Sequence, residues 1–315
     1  MKVRIILLTV FTVCFAVFPS CSINKLAMNL VADALTGEGS SDVFTGDPDP
    51  KLVADAIPFA IKLYESLLAA TPDHQGLMLT TGSLFIMYAN AFVQESAEML
   101  PRTEWEAREA ALARSKQMYL RGYVILYDAL EKKFPGFKVA TVDKGTIQPL
   151  LQKCKKQDVS LLYWAVAGGL SAYSIDILDY RLSTNIPQWS AMIQRAYELD
   201  PNYNTAALDE FFIIYYASLP ELLGGNRERA EQHYKLAIEK TKGNSASAYV
   251  SYAQSICIPA QDYDTYKDCL EKALAIDPNL NVSTRLVNIL TQKKARWLLE
   301  NAWVYFSFLP IPDDY

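Results

Sequence analysis

The sequence predicts an all-α protein made of stacked helix pairs, on three observations. Apolar residues recur at helical spacing almost everywhere from Leu52 onward. No stretch alternates apolar and polar residues in the manner of a half-buried strand. Five segments repeat one spacing of apolar residues, and clusters of Pro, Gly and Asn stand between helical stretches as stops.

The chain opens Met1-Lys2-Val3-Arg4, followed by an apolar run from Ile5 to Phe18. Cations, a short apolar run and a small residue before a cysteine predict a secretory signal over 1–20. The run is shorter than the ~20 residues a bilayer span needs. Cys21 follows Ser20 where acylation and cleavage would fall, so it is expected to carry the lipid anchor, a palmitate-type acyl group. Phe18 and Pro19 depart from the usual lipobox, and the alternative is an ordinary signal with Cys21 as a bystander. Residues 21–50 are expected to form a lipidated tether. Gly37-Glu38-Gly39-Ser40-Ser41 and Gly46-Asp47-Pro48-Asp49-Pro50 are its loops, and Leu26, Leu30, Ala34 and Leu35 mark one short helix.

The helical domain then runs over 51–315. Thr103-Glu104-Trp105-Glu106 reads as a capping box opening a helix to about Phe134. Asp158 is expected to cap the next, through Leu161, Tyr163, Trp164 and Leu170 to Ile177. Pro135-Gly136, Asn185-Ile186-Pro187, Gly224-Gly225-Asn226 and Lys242-Gly243-Asn244 read as turns.

The repeated segments are Ala60-Tyr64-Leu67-Pro72, Tyr123-Tyr127-Leu130-Pro135, Trp189-Ile193-Ala196-Pro201, Ala230-Tyr234-Ala237-Lys242 and Tyr266-Leu270-Ala273-Pro278. Intervals of four and three put three side chains on one helix face, and the proline just beyond stops the helix. This is the second-helix signature of a tetratricopeptide repeat. Ala196 to Ala237 to Ala273 are 41 and 36 residues apart, near the ~34-residue period with small insertions. The earlier intervals are nearly double, so the predicted fold is a degenerate tetratricopeptide solenoid with additional helices.

Without residues 1–20 the chain carries 28 cations against 35 anions. That acidic balance offers no footprint for nucleic acid and no polybasic patch for anionic lipid, so membrane contact would rest on the acyl anchor alone. Cys154, Cys257 and Cys269 remain after Cys14 is removed and Cys21 acylated. Cys257 and Cys269 could pair if their helices are neighbours, but two buried thiols are the expectation. No CxxC, HExxH, GxSxG, Walker or dinucleotide motif occurs, and His74 and His233 have no second histidine at ligand spacing. No metal, no cofactor and no enzymatic activity are therefore expected.

Aromatic content points to binding instead, with 19 Tyr, 13 Phe and 5 Trp. Tyr119, Tyr123 and Tyr127 form a stripe on one helix, and Tyr163, Trp164, Tyr173, Tyr180 and Trp189 follow on the next two. A tyrosine stripe is ordinarily core. Many ring hydroxyls that each need a partner nevertheless suit an amphipathic cavity between helices. The candidate ligand-binding residues are Tyr119, Arg121, Tyr123, Tyr163, Trp164, Tyr173, Tyr180, Arg181 and Trp189. Arg121 and Arg181 would hold a carboxylate or, in the plainer reading, pair with acidic side chains.

The stretch Asp47-Pro48-Asp49-Pro50-Lys51-Leu52-Val53, with Ala56 to Leu68 and Thr71-Pro72-Asp73-His74, resembles the opening of a known family. So does Tyr119-Leu120-Arg121-Gly122-Tyr123 leading to Phe134-Pro135-Gly136. The family is the tetratricopeptide-containing lipoprotein component of tripartite ATP-independent periplasmic (TRAP) transporters, and the resemblance covers nearly all of the mature chain. It implies a lipid-anchored periplasmic subunit that associates with the TRAP solute-binding protein and holds or passes a hydrophobic or carboxylate ligand. It carries no catalytic residues. A homo-oligomer, with a trimer as first expectation, completes this reading. The alternative is a repeat scaffold for envelope proteins with no small-molecule ligand.

Overall fold

A computed structural model describes residues 20–37, 39 and 42–311. Residues 1–19 of the expected signal over 1–20 lie outside the described residues, as does the side chain of Cys21. Every regular element among the described residues is helical. The main helices are α1 (Ser20–Thr36), α2 (Pro50–Ala70), α3 (Gln75–Glu98), α4 (Trp105–Lys133), α5 (Val159–Ile175) and α6 (Ile186–Leu199). After them come α7 (Ala207–Ser218), α8 (Arg227–Thr241), α9 (Ala246–Tyr252), α10 (Tyr263–Ala275) and α11 (Arg285–Glu300). A π-helical turn, Ala89–Gln94, interrupts α3, and another, Ala253–Cys257, extends α9.

Local chemistry sets many of the boundaries. Asp49 caps α2 by accepting from the backbone N–H of Lys51 and Leu52, with Pro50 in the first turn. Asn226 and Asp262 cap α8 and α10 in the same way. Gly136 follows Pro135 at φ +94°, a left-handed conformation that lets the chain reverse after α4.

Two expected caps are absent. A 3₁₀ turn, Arg102–Glu104, precedes α4, so Thr103 sits inside that turn and Glu104 occupies the cap position without capping. Asp158 stands at the start of α5, but its carboxylate accepts from the Lys155 N–H at 2.8 Å and pairs with Lys133 at 2.5 Å. That helix ends at Ile175, before Ile177.

The helices pack largely in chain order. α3 lies on α2 and α4, α5 on α4 and α6, α8 on α7 and α9, and α10 on α9 and α11. Alternate helices also touch, α3 with α5, α7 with α9, and α9 with α11. The five repeated segments fall on α2, α4, α6, α8 and α10, each preceded or followed by such a neighbour. Their final positions, Leu67, Leu130, Ala196, Ala237 and Ala273, are all buried, as small or apolar contact positions between crossing helices should be.

Between α3 and α4 the contact is made by glycine: a Cβ on Gly122 would lie 2.6 Å from the carbonyl oxygen of Gly82. α3 is long and apolar enough to cross a membrane by length and composition, but half of its apolar window is buried between neighbours. Its apolarity is explained by its central place in the core.

The two ends of the array meet. Leu286 of α11 joins the core cluster of α2 and α3, the Arg285 guanidinium donates to the Gly46 carbonyl at 3.0 Å, and buried Lys294 pairs with Glu98 at 2.8 Å. The segment read as a tether also takes part. Ala32 of α1 is buried, and the Tyr64 hydroxyl donates to the Leu35 carbonyl at 3.2 Å.

Candidate functional site

The nine residues singled out from sequence fall into separate environments. Tyr119 is fully buried, and its hydroxyl donates to Gln94 Oε1 at 2.7 Å. Tyr123 packs tilted against Tyr127 and meets the fully buried Trp189 edge-on at 5.8 Å. These three rings are core between α3, α4 and α6. Tyr163 and Trp164 pack edge to face at 5.3 Å, with Tyr203 and Phe211 completing a second cluster. Tyr173 is half-buried at the core edge, and Tyr180 is 73% exposed. Both arginines have carboxylate partners. Arg121 pairs with Glu65 at 2.5 Å and lies over the Phe85 ring, and Arg181 pairs with Asp179 at 3.4 Å.

Beside the Tyr163 cluster sits Glu210 of α7, partly accessible and unremarked in the sequence. Burial pushes its carboxyl up to about 7, against a hydrogen bond from the Ser245 hydroxyl. Asp209, its neighbour, is fully buried and accepts from His233 Nδ1 at 2.8 Å, Lys240 Nζ at 2.6 Å and the Tyr197 hydroxyl at 3.1 Å. That cluster ties α6, α7 and α8 together around a fully buried carboxylate.

A concave site forms where the chain ends meet. A cleft of about 560 Å³ lies between the end of α3, the start of α4 and the end of α11. Its apolar wall comes from Met99, Leu100, Pro101, Trp105, Trp297 and Val304, and its polar groups are Glu98, Arg102, Arg108, Asn301 and Tyr305. Trp105 and Arg108 are one turn apart on α4, and Trp297 on the last turn of α11 is followed by Asn301 at its C-cap, so each helix end brings a ring and a polar group to the same space.

Electrostatically the cleft is a cationic site. Its only carboxylate, Glu98, is already held by Lys294 at 2.8 Å and by the Gln94 amide at 2.8 Å. The Arg102 guanidinium lies 5.8 Å over the Trp303 ring, and Arg108 has no ion-pair partner among the described residues. Burial keeps the Tyr305 phenol protonated well above neutrality, with the nearby Lys294, Arg108 and Arg102 pulling the other way. Two guanidinium groups and a phenol donor beside two indoles suit a carboxylate carried on an apolar body.

None of these residues stood out in the sequence. The only available signal was the one-turn spacing of Trp105 with Arg108, and what joins them to Trp297 is the closure of the array. A second, more open cleft of about 440 Å³ is lined by Asn29, Asp33, Thr71, Asp73 and His74. There His74 Nδ1 accepts from the Leu77 N–H at 3.0 Å, so Nε2 carries the proton and donates to Asp33 at 3.0 Å.

Among the described residues no group of three His, Cys, Asp or Glu is placed to hold a metal ion. The regular elements among the described residues are all helical, and nothing in the site points to catalysis. Residues 46–306 match the family model described as TRAP transporter T-component. The chain is also 34% identical over 300 residues to an uncharacterized protein of Treponema pallidum (strain Nichols), a match covering 91% of this chain and 93% of that one. The chain belongs to the T-component family of TRAP transporters. Membership places it with the TRAP transport system as an accessory component, at a membrane-associated or periplasmic location.

Proposed function

We propose that this T-component is lipid-anchored through Cys21 in the periplasm, engages the TRAP solute-binding protein, and holds an amphipathic carboxylate in the Arg102–Arg108 cleft. The observation that carries the ligand reading is the charge arrangement. Among the described residues the one acid lining the cleft, Glu98, is held by Lys294, while Arg108, which has no ion-pair partner there, lines a space walled by Trp105 and Trp297. An anion with an apolar body satisfies both features, whereas a cation or a neutral alkane satisfies only one.

The protein-partner reading is supported by family membership and by α2. On α2, Leu52, Phe59 and Leu63 lie exposed at seven- and four-residue spacing along one face. A stripe of that kind suits a protein neighbour, whether the solute-binding protein or a second copy in a homo-oligomer.

Tryptophan fluorescence tests the ligand, because two of the five Trp line the cleft. Decanoate should give a saturable change, with decylamine giving none. A hydrogen-bonded charge contributes about 1.5–3 kcal/mol, so Arg108→Glu should weaken decanoate by at least about 10-fold. Absence of saturable binding to any amphipathic anion would replace this reading with the scaffold that binds protein alone.

A further inference from the structure

The three cysteines with described side chains are all buried thiols, but they are not equivalent. Cys154 sits alone after the short helix Gln148–Lys153. Cys257 closes the π-helical turn that extends α9, and Cys269 lies on α10, the helix packed against it. The two thiols are 12 positions apart in the chain, and each lies close enough to shift the other's titration. Both belong to the core cluster that joins α9, α10 and α11. The Tyr234 hydroxyl lies 3.7 Å from Cys269 Sγ.

We propose that Cys257 and Cys269 are joined as an intramolecular disulfide in the exported protein. Two cysteines on elements packed against each other, both buried in one core cluster, place their sulfurs in the same space, the first condition for such a bond. The inference rests on the periplasmic location proposed above, where such bonds form and persist.

The Cys269 thiolate attacks one sulfur of a disulfide-bearing oxidant, giving a mixed disulfide and releasing the oxidant's other sulfur as a thiolate. Cys257 then loses its proton and attacks Cys269 Sγ, which expels the oxidant's second sulfur. Two electrons pass to the oxidant, now a dithiol, and the two protons lost by the cysteines end on it. Since both sulfurs are buried in the folded chain, the exchange precedes the sealing of the α9–α10 pair.

The bond would fasten α10 to α9 at the π-helical turn. α10 in turn holds α11 through the Tyr266 hydroxyl, which donates to the Leu298 carbonyl at 2.8 Å. α11 supplies Trp297 to the cleft, and its C-cap residue Asn301 lines it as well. The disulfide therefore steadies one wall of the proposed ligand site.

Peptide mapping of the full chain tests the proposal. Protein isolated from the periplasm is denatured in the presence of an alkylating agent and cut with trypsin. The expected product joins residues 243–267 to 268–272 and separates on reduction, and Cys269→Ser abolishes it and leaves Cys257 alkylated. In parallel, the folded chain produced reduced in a cytoplasm is treated with oxidised glutathione under partly denaturing urea. A link in both preparations supports the proposal. A link made only with glutathione upholds the pairing and overturns the exported location. Full alkylation of both cysteines in both preparations overturns the pairing itself.

Discussion

Glu210 couples the stability of the fold to pH, and the sign of the effect follows from its surroundings. Burial raises its carboxyl from the ordinary 4.5 to about 7, and the charge of Asp209 adds to the rise, while the Ser245 hydroxyl opposes it. A carboxyl whose folded pKa lies above its unfolded value binds its proton more tightly in the folded state. Its favourable contribution is complete below pH 4.5 and is lost as pH climbs through about 7. At about 1.36 kcal/mol per pH unit, the gap between 4.5 and 7 corresponds to at most about 3 kcal/mol by pH 8.

Glu210→Gln keeps an acceptor for Ser245 and removes the ionisation. Urea denaturation at a series of pH values from 5 to 8 measures the consequence. The variant should exceed the wild type by under about 1 kcal/mol at pH 5 and by about 3 kcal/mol at pH 8. Parallel stability curves for the two proteins across that range would refute the reasoning.

Three further perturbations test the packing. Gly122→Ala gains about 1 kcal/mol of helix propensity but drives a methyl into the Gly82 carbonyl, so a net loss of about 1–2 kcal/mol is expected in the urea midpoint; Gly168→Ala meets only the flexible tip of Ile86 and should be nearly neutral. Ala237→Trp overfills the buried contact with Ala206, Ile213 and Ala248 and should cost about 1–3 kcal/mol, read as a lowered melting temperature. Asp209→Ala leaves Lys240 and His233 without their shared carboxylate and should cost about 3–5 kcal/mol, with Asp209→Asn less damaging because it keeps an acceptor.

The sequence made the helices legible because periodicity, caps and stops are local. The helix expected from Leu26 to Leu35 exists as part of α1, and the turns at Pro135-Gly136 and Lys242-Gly243 stand where Pro and Gly put them. The repeat spacing found the helices whose small residues are buried, since Ala196, Ala237 and Ala273 owe their size to close contact. The capping box at Thr103 misled because Pro101 starts the 3₁₀ turn that displaces it.

The residues of the cleft were not legible in the sequence. Aromatic abundance and arginine pointed to an amphipathic anion, but the tyrosine stripe of α4 is largely packed core, and Arg121 and Arg181 are paired with Glu65 and Asp179. The cleft joins Arg108 to Trp297 across most of the chain. No local pattern encodes that juxtaposition, because it arises from α11 folding back onto α2 and α3.

The central claim is that this chain serves a TRAP importer by contacting its solute-binding protein. The most direct measurement is light scattering coupled to size exclusion on the purified mature chain mixed with the TRAP solute-binding protein of the same cell. The account predicts a co-eluting complex whose mass is the sum of both components, weakened by Phe59→Glu on the exposed face of α2. Separate elution of the two proteins at concentrations well above micromolar, with and without an amphipathic carboxylate, would contradict it.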